Sequence, residues 1–272
     1  MKHPLLFLAG LSLLATARLG AARNVDVQPI PDLPLKDVPP VAQPAPPAEW
    51  KVTLGGGLSY APRYEGAAAN RLRPLPFIEA TDGHFFAGIL RGVGYNFSDD
   101  RTLEYGVRLA LGHVRRTSSD PHLNGMTDLP YTVEGGVFLN KRFAPWYVSS
   151  GLTTSRFGMH AELGGGIGLP LSEADRLRLG ASLDWGNTRY NQSYFSVSPA
   201  EATASGNVLT PYQAGAGVKD YAISLNWAHN YTRQWFSTLG ASYKWLTGSA
   251  RTSPLTQRAT QPSLNFMLGY RY

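Results

Sequence analysis

The chain has 272 residues with 29 Gly, 14 Tyr, 6 Trp, no Cys and only 16% charged side chains. That composition excludes a disulfide-held fold and leans to an aromatic-belted all-β protein, away from a helical enzyme. The formal charge of +6 comes from basic residues scattered singly between apolar ones. They lack the clustered stripe that phosphate-backbone binding needs, so no nucleic-acid partner is expected.

Residues 1–22 read as an export signal. Lys2 and His3 make a basic start, Leu5 to Leu14 an apolar core, and Ala15, Ala17, Ala21 and Ala22 a small-residue cleavage region. Cleavage is expected after Ala22, with Ala17 as the alternative. No apolar run in the chain reaches the eighteen residues or so of a spanning helix. Without Lys2 and Arg18 the 25 basic residues fall to 23 against 19 acidic, a mild excess of four.

Residues 23–48 change character. Pro29, Pro31, Pro34, Pro39, Pro40, Pro44, Pro46 and Pro47 crowd this stretch, which reads as an extended periplasmic arm and not as a domain. A passive leader before the first strand is favoured over a docking arm.

From residue 49 the chain alternates with a period of two. Trp50, Val52, Leu54, Leu58 and Tyr60 share one face; Lys51, Thr53, Gly55, Gly57 and Ser59 share the other. Tyr105, Val107 and Leu109 oppose Glu104 and Arg108, and Leu129, Tyr131, Val133, Val137 and Leu139 oppose Glu134 and Asn140. Met159, Ala161 and Leu163 oppose His160, Glu162 and three glycines at 164, 166 and 168, while Leu177, Leu179, Leu183 and Trp185 oppose Arg176, Arg178 and Asp184. Tyr221, Ile223 and Trp227 oppose Asp220; Trp235, Leu239, Tyr243 and Trp245 oppose Lys244. Phe266, Leu268, Tyr270 and Tyr272 close the chain opposite Asn265, Met267 and Arg271.

Alternation alone does not separate a soluble sandwich from a membrane barrel, because either has one apolar face. The export signal, runs of about ten residues or more, and aromatics near the run ends favour a transmembrane antiparallel up-and-down β-barrel over residues 49–272. Its polar face then lines a lumen. Eleven segments are countable, and an even number is needed, so twelve strands are expected and ten are next. Residues 61–97 are the doubtful region, because Pro62, Pro74 and Pro76 disturb pairing and Arg91 falls on an otherwise apolar face. Short turns near 98–100, 143–145, 172–175 and 232–234 fall to the periplasm; long connections at 114–128, 189–216 and 247–260 fall outside. In the 189–216 loop, Phe195 and Val197 call for burial, which favours inward folding over an exposed binding loop.

The order of motifs then becomes specific. WGNTRYNQSYFSVSPAEATASGNVLTPYQAGAGVKD (Trp185 to Asp220), GGGLSYAPRYEG (Gly55 to Gly66), RPLPFI (Arg73 to Ile78), GVGYNF (Gly92 to Phe97), ARTSPLTQR (Ala250 to Arg258) and the closing GYRY together resemble the MipA/OmpV family, the MltA-interacting protein family of outer-membrane barrels. Ser196 departs from the glycine usual there, and the Pro-rich arm is not part of the shared pattern. The resemblance implies an integral outer-membrane barrel. It also implies a scaffold that brings a murein-degrading lytic transglycosylase to a bifunctional murein synthase; other members look like surface antigens. No assigned catalytic set comes with it. Expected partners are therefore outer-membrane lipid, the barrel-insertion machinery reading the aromatic end at Phe266, Leu268, Tyr270 and Tyr272, and a periplasmic murein hydrolase and synthase.

The lumen-facing candidates are Lys51, Glu104, Arg108, Glu134, His160, Glu162, Arg176, Arg178, Asp184, Asp220, Lys244 and Arg271, joined by Arg142. Two readings stay open: selection of anionic solutes in a pore, or a network of ion pairs filling a narrow barrel, with the network favoured. His84, His113, His122, His160 and His229 belong to no nucleophile elbow, zinc-helix motif or phosphate loop, and Glu173 with Asp175 has no opposed acid for glycan cleavage. No catalytic residue, cofactor or metal is expected. A small-solute channel and a surface adhesin are the alternatives to the scaffold.

Overall fold

The computed structural model describes residues 50–272. The signal and the Pro-rich arm expected at 1–48 lie outside the described residues.

Twelve antiparallel strands follow one another around a closed barrel: β1 (Lys51–Pro62), β2 (Asn70–Thr81), β3 (Phe85–Gly88), β4 (Gly92–Asn96), β5 (Leu103–Leu111), β6 (Val133–Phe143), β7 (Trp146–Ser155), β8 (Gly158–Pro170), β9 (Asp175–Gly186), β10 (Gly217–Asn230), β11 (Trp235–Leu246) and β12 (Thr260–Arg271). Each is paired with its neighbour in sequence, and β1 meets β12 to close the ring, with Leu58 opposite Phe266 and Gly55 opposite Gly269. Closure removes both free edges, as a lipid environment demands of any spanning sheet.

The side chains sort as alternation predicts. Leu54, Leu58, Val107, Leu109, Val137, Leu163, Ile223, Leu239, Phe266 and Leu268 all stand on the exterior, between 40% and 60% exposed in most cases, and Leu54 37%. A soluble protein does not present so continuous an apolar exterior; a barrel in hydrocarbon must. Trp50, Trp146, Trp235 and Tyr272 sit exposed at strand ends, where an interfacial girdle belongs. Lys51 and Arg271 lie at one end of the barrel with the short turns at 144–145, 171–174 and 231–234, and the long connections at 112–132, 187–216 and 247–259 gather at the other; in outer-membrane barrels the short turns are periplasmic and the long loops are external.

The doubtful region resolves in two ways. Its last part forms two short strands, the hairpin β3–β4, and this supplies the even count. The prolines of β2 do not break it: β1 and β2 pair continuously from Lys51 opposite Thr81 to Pro62 opposite Asn70. On its other side β2 meets β3 only at Glu79–Thr81. The Ile78 carbonyl accepts from the Ile89 amide on that side at 3.1 Å. Pro74 and Pro76 share the parity of Ile78, so their missing N–H groups point where the short hairpin has already ended, and no ladder bond is lost.

Two further expectations need correction. Leu129 does not start β6; it is 8% exposed within the loop layer, where residue 115 bridges to it, and the strand begins only at Val133. Arg91 does not lie on an apolar face either. It belongs to the β3–β4 turn and its side chain reaches Glu79 and Glu104 in the lumen.

The long connections form a packed cap over the outer mouth. It contains α1 (Thr188–Phe195), α2 (Pro199–Ala204) and the single turn α3 (Gly248–Arg251). Asn187 caps α1 by accepting from the Tyr190 amide at 2.8 Å, and Ser198 with Glu201 forms a capping box on α2. Tyr64, Leu123, Val197, Leu209 and Leu255 make one buried cluster; Leu129, Tyr190, Tyr194, Phe195 and Leu246 make a second. Phe195 is 0% and Val197 1% exposed, so the 189–216 connection folds inward over the barrel.

Candidate functional site: the lumen beneath the cap

A cavity of about 490 Å³ with many polar residues in its lining lies inside the barrel. It reaches the periplasmic rim at Lys51, Thr81, Asn230 and Arg271 and ends beneath the cap at Tyr190 and Lys219. Lys51, Glu104, Arg108, Glu134, His160, Glu162, Arg176, Arg178, Asp184, Lys244 and Arg271 all line it. Asp220 does not: its side chain is fully buried in the charge cluster at the top of the lumen.

That cluster stands at the end of the cavity beneath the cap. Lys219 Nζ lies 2.6 Å from Asp220, 3.1 Å from Glu65 and 3.4 Å from Asp184, and Lys244 Nζ lies 3.5 Å from Asp220 and 3.8 Å from Asp184. Two lysines and three carboxylates thus leave little net charge, which is what makes so dry a group tolerable. Sequence reading missed Lys219 because strict alternation turns it outward. A register shift between Val218 and Asp220 on β10 breaks the alternation, so that Lys219 and Asp220 are both buried. Glu65 was equally hidden, being placed there by the β1–β2 loop.

A second network runs along one wall, from β2 to β6. Arg91 joins Glu79 at 3.2 Å and Glu104 at 3.6 Å, and Glu104 continues to Arg142 at 3.6 Å.

A third arrangement recurs three times and rests on glycine. Phe86 lies across Gly94, Tyr147 across Gly166 and Gly180, and Phe236 across Gly269. A Cβ on Gly180 would stand 2.6 Å from the Tyr147 hydroxyl oxygen, and one on Gly166 2.7 Å, so a side chain at either position would push the Tyr147 hydroxyl off the wall. Each ring then carries a guanidinium on its open face: Arg91 over Phe86 at 4.2 Å, Arg178 over Tyr147 at 4.8 Å and Arg271 over Phe236 at 4.1 Å. The stack fixes both the ring and the arginine head.

Histidine chemistry finds no support in the geometry. His160 packs on Tyr190 at 4.8 Å between ring centroids, and His113 lines the lumen against Tyr194. His122 Nε2 lies 2.9 Å from the Pro254 carbonyl oxygen in the cap. His229 Nδ1 lies 2.8 Å from Asp175, but Ser172 also donates to Asp175 and so directs its hydroxyl to the acid, not to the imidazole. Among the described residues no group of three His, Asp or Glu is placed to hold a metal ion.

Residues 54–272 match the family described as MltA-interacting protein MipA. The chain belongs to this family. Among curated proteins none matches it. Solved structures with a similar shape include the COG4313 outer membrane channel from Pseudomonas putida F1, at 11% identity and a TM-score of 0.44 over 87% of this chain and 100% of that one. They also include the outer membrane channel DcaP of Acinetobacter baumannii, at 10% identity and 0.36 over 82% and 96%, and OprD of Pseudomonas aeruginosa, at 6% identity and 0.33 over 82% and 94%. This MipA-family chain is an integral outer-membrane barrel, with an apolar exterior, a polar lumen and a folded outer lid.

Proposed function

We propose that this MipA-family barrel is a non-enzymatic scaffold that gathers murein-remodelling enzymes, a lytic transglycosylase and a bifunctional murein synthase, at its periplasmic face. The observation that carries the reading is the asymmetry of the two ends. The outer mouth is sealed by two apolar clusters and a charge cluster, whereas the polar cavity reaches the periplasmic rim at Lys51, Asn230 and Arg271. A partner meeting this barrel is therefore offered its periplasmic side. The family's description as an MltA-interacting protein supports the same direction. In-cell crosslinking followed by pull-down tests it: recovery of both murein enzymes is expected, and recovery of neither sinks the scaffold.

A small-solute channel is the second reading, favoured by the polar lining of the lumen and opposed by the cap. Planar-bilayer recording separates the two, because a steady anion-selective current from the intact barrel would replace the scaffold with a pore. A surface adhesin, the third reading, predicts loss of cell binding when residues 189–216 are removed.

A further inference from the structure

The Gly–aromatic–Arg stack on β7 differs from the other two in what surrounds its guanidinium. Arg91 is neutralised by Glu79 and Glu104, and Arg271 donates to Asn230 at 3.0 Å. Arg178 has no carboxylate within 4.0 Å among the described residues, and neither has Arg108. Both line the same cavity.

Both heads reach residues of β7. The Arg178 guanidinium lies over Tyr147, and an Nη of Arg108 would stand 3.5 Å from a Cβ placed on Gly151, so Arg108 reaches from β5 across β6 to β7. Positions 147 and 151 face the lumen on the same strand, about 13 Å apart at the usual rise per residue. Ser149 lies between them. Opposite Ser149, β8 offers Gly164, where a Cβ would stand 2.7 Å from the serine hydroxyl. The floor between the two guanidiniums is thus a hydroxyl and bare backbone. Arg142, paired in register with Tyr147, adds a third guanidinium; its Nη2 is held by Glu104 at 3.6 Å, while its Nη1 is buried without a hydrogen-bond acceptor from the protein.

Fixed guanidinium forks over a shallow polar floor suit bidentate oxyanions. We propose that Arg108, Arg142 and Arg178, with Ser149 between them, form an anion-binding site in the lumen that takes a small carboxylate- or phosphate-bearing solute entering from the periplasm. The flat Tyr147 ring pre-orients Arg178, which lowers the ordering cost on binding. The site stands whether or not murein enzymes bind the barrel, since it lies inside the wall.

Calorimetric titration of the purified full chain in detergent micelles, with citrate and with pyrophosphate as separate probes, tests it. Binding of citrate alone assigns a carboxylate ligand, of pyrophosphate alone a phosphate ligand, and of both a general oxyanion site. The double variant Arg108→Gln with Arg178→Gln is expected to bind about tenfold more weakly or worse. Arg189→Gln, on the exposed side of the cap, is expected to bind as the wild type does. Tyr147→Phe keeps the stack and the affinity; Tyr147→Leu loses both. A second measurement needs no variant: bound probe should protect Arg108 and Arg178, but not Arg189, from phenylglyoxal labelling read by mass spectrometry. No binding of either probe, undiminished binding by the double variant, or equal labelling with and without probe overturns the site.

Discussion

The Tyr64 hydroxyl donates to the Leu255 carbonyl at 2.9 Å, joining two connections that lie 191 residues apart in the chain. Burial, and then the charge of Asp120, push the pKa of this phenol up, with Arg115 pulling it back, so it remains a donor at any physiological pH. Around this bond the first and last outer connections share one apolar cluster with Leu123, Val197 and Leu209. The cap over the outer mouth is thus held in part by contacts between loops, beside the charge cluster that β9, β10 and β11 supply.

Removing that cluster should open the mouth without unfolding the barrel. Leu123→Asp places a charge where the side chain is now 0% exposed, which the cluster cannot solvate. The expected outcome is a large rise in planar-bilayer conductance with unchanged heat-dependent gel mobility. A variant that stays as closed as the wild type would show that the cap does not gate the lumen.

Acid should loosen the same cap. Burial raises the Glu201 carboxyl, but hydrogen bonds from Ser198 and Thr127 outweigh it and hold its pKa below the ordinary value. Asp128 is held low by the Thr117 amide and hydroxyl. A depressed folded-state pKa contributes stability above the unfolded value of roughly 4, and that contribution is lost as pH falls through the folded pKa. Proteolytic nicking within 114–128 or 198–209 should therefore increase below about pH 4, and Glu201→Gln should show the increase already at neutral pH.

Breaking the charge cluster should be costly. Lys219→Met leaves Glu65, Asp184 and Asp220 to share Lys244 alone, and loss of one partner from a buried set costs about 3–5 kcal/mol. Denaturant unfolding in detergent should show the loss. Lys219→Met combined with Asp220→Leu should recover part of it, because the stranded charge is gone.

The glycines under the rings should resist substitution more than their exposure suggests. Gly180→Leu drives a side chain into Tyr147 and Ser224, and overpacking of this kind costs about 1–3 kcal/mol. Gly56→Leu is the control: on β1, with nothing within 4 Å of its Cβ, it should fold and migrate as the wild type. Equal behaviour of the two would remove the stack as a structural element.

The exterior and the closing strand give a last pair. Leu268→Arg puts a charge on the lipid face, worth about 2–4 kcal/mol near the bilayer midplane. Tyr272 is 75% exposed at the chain end, so Tyr272→Ser should change folded stability little yet lower the yield of inserted barrel in cells. Normal yield would count against an assembly role for the aromatic terminus.

The amino-acid sequence by itself determined the barrel, its outward and inward faces and the side on which the long connections lie. All three follow from a period of two read along one strand at a time, and a lipid exterior enforces that period. Tertiary structure decided what the inward residues do. Lys219 joins Asp220 through a local break in the alternation, Arg108 reaches a strand two away, and Tyr147 lies on glycines of β8 and β9. The cap likewise brings Tyr64 to Leu255 and Leu123 to Val197. Periodicity assigns a residue to a face, but a lumen 490 Å³ in size brings together side chains from every strand around it, and which of them meet is set by register, bulges and the room a glycine leaves.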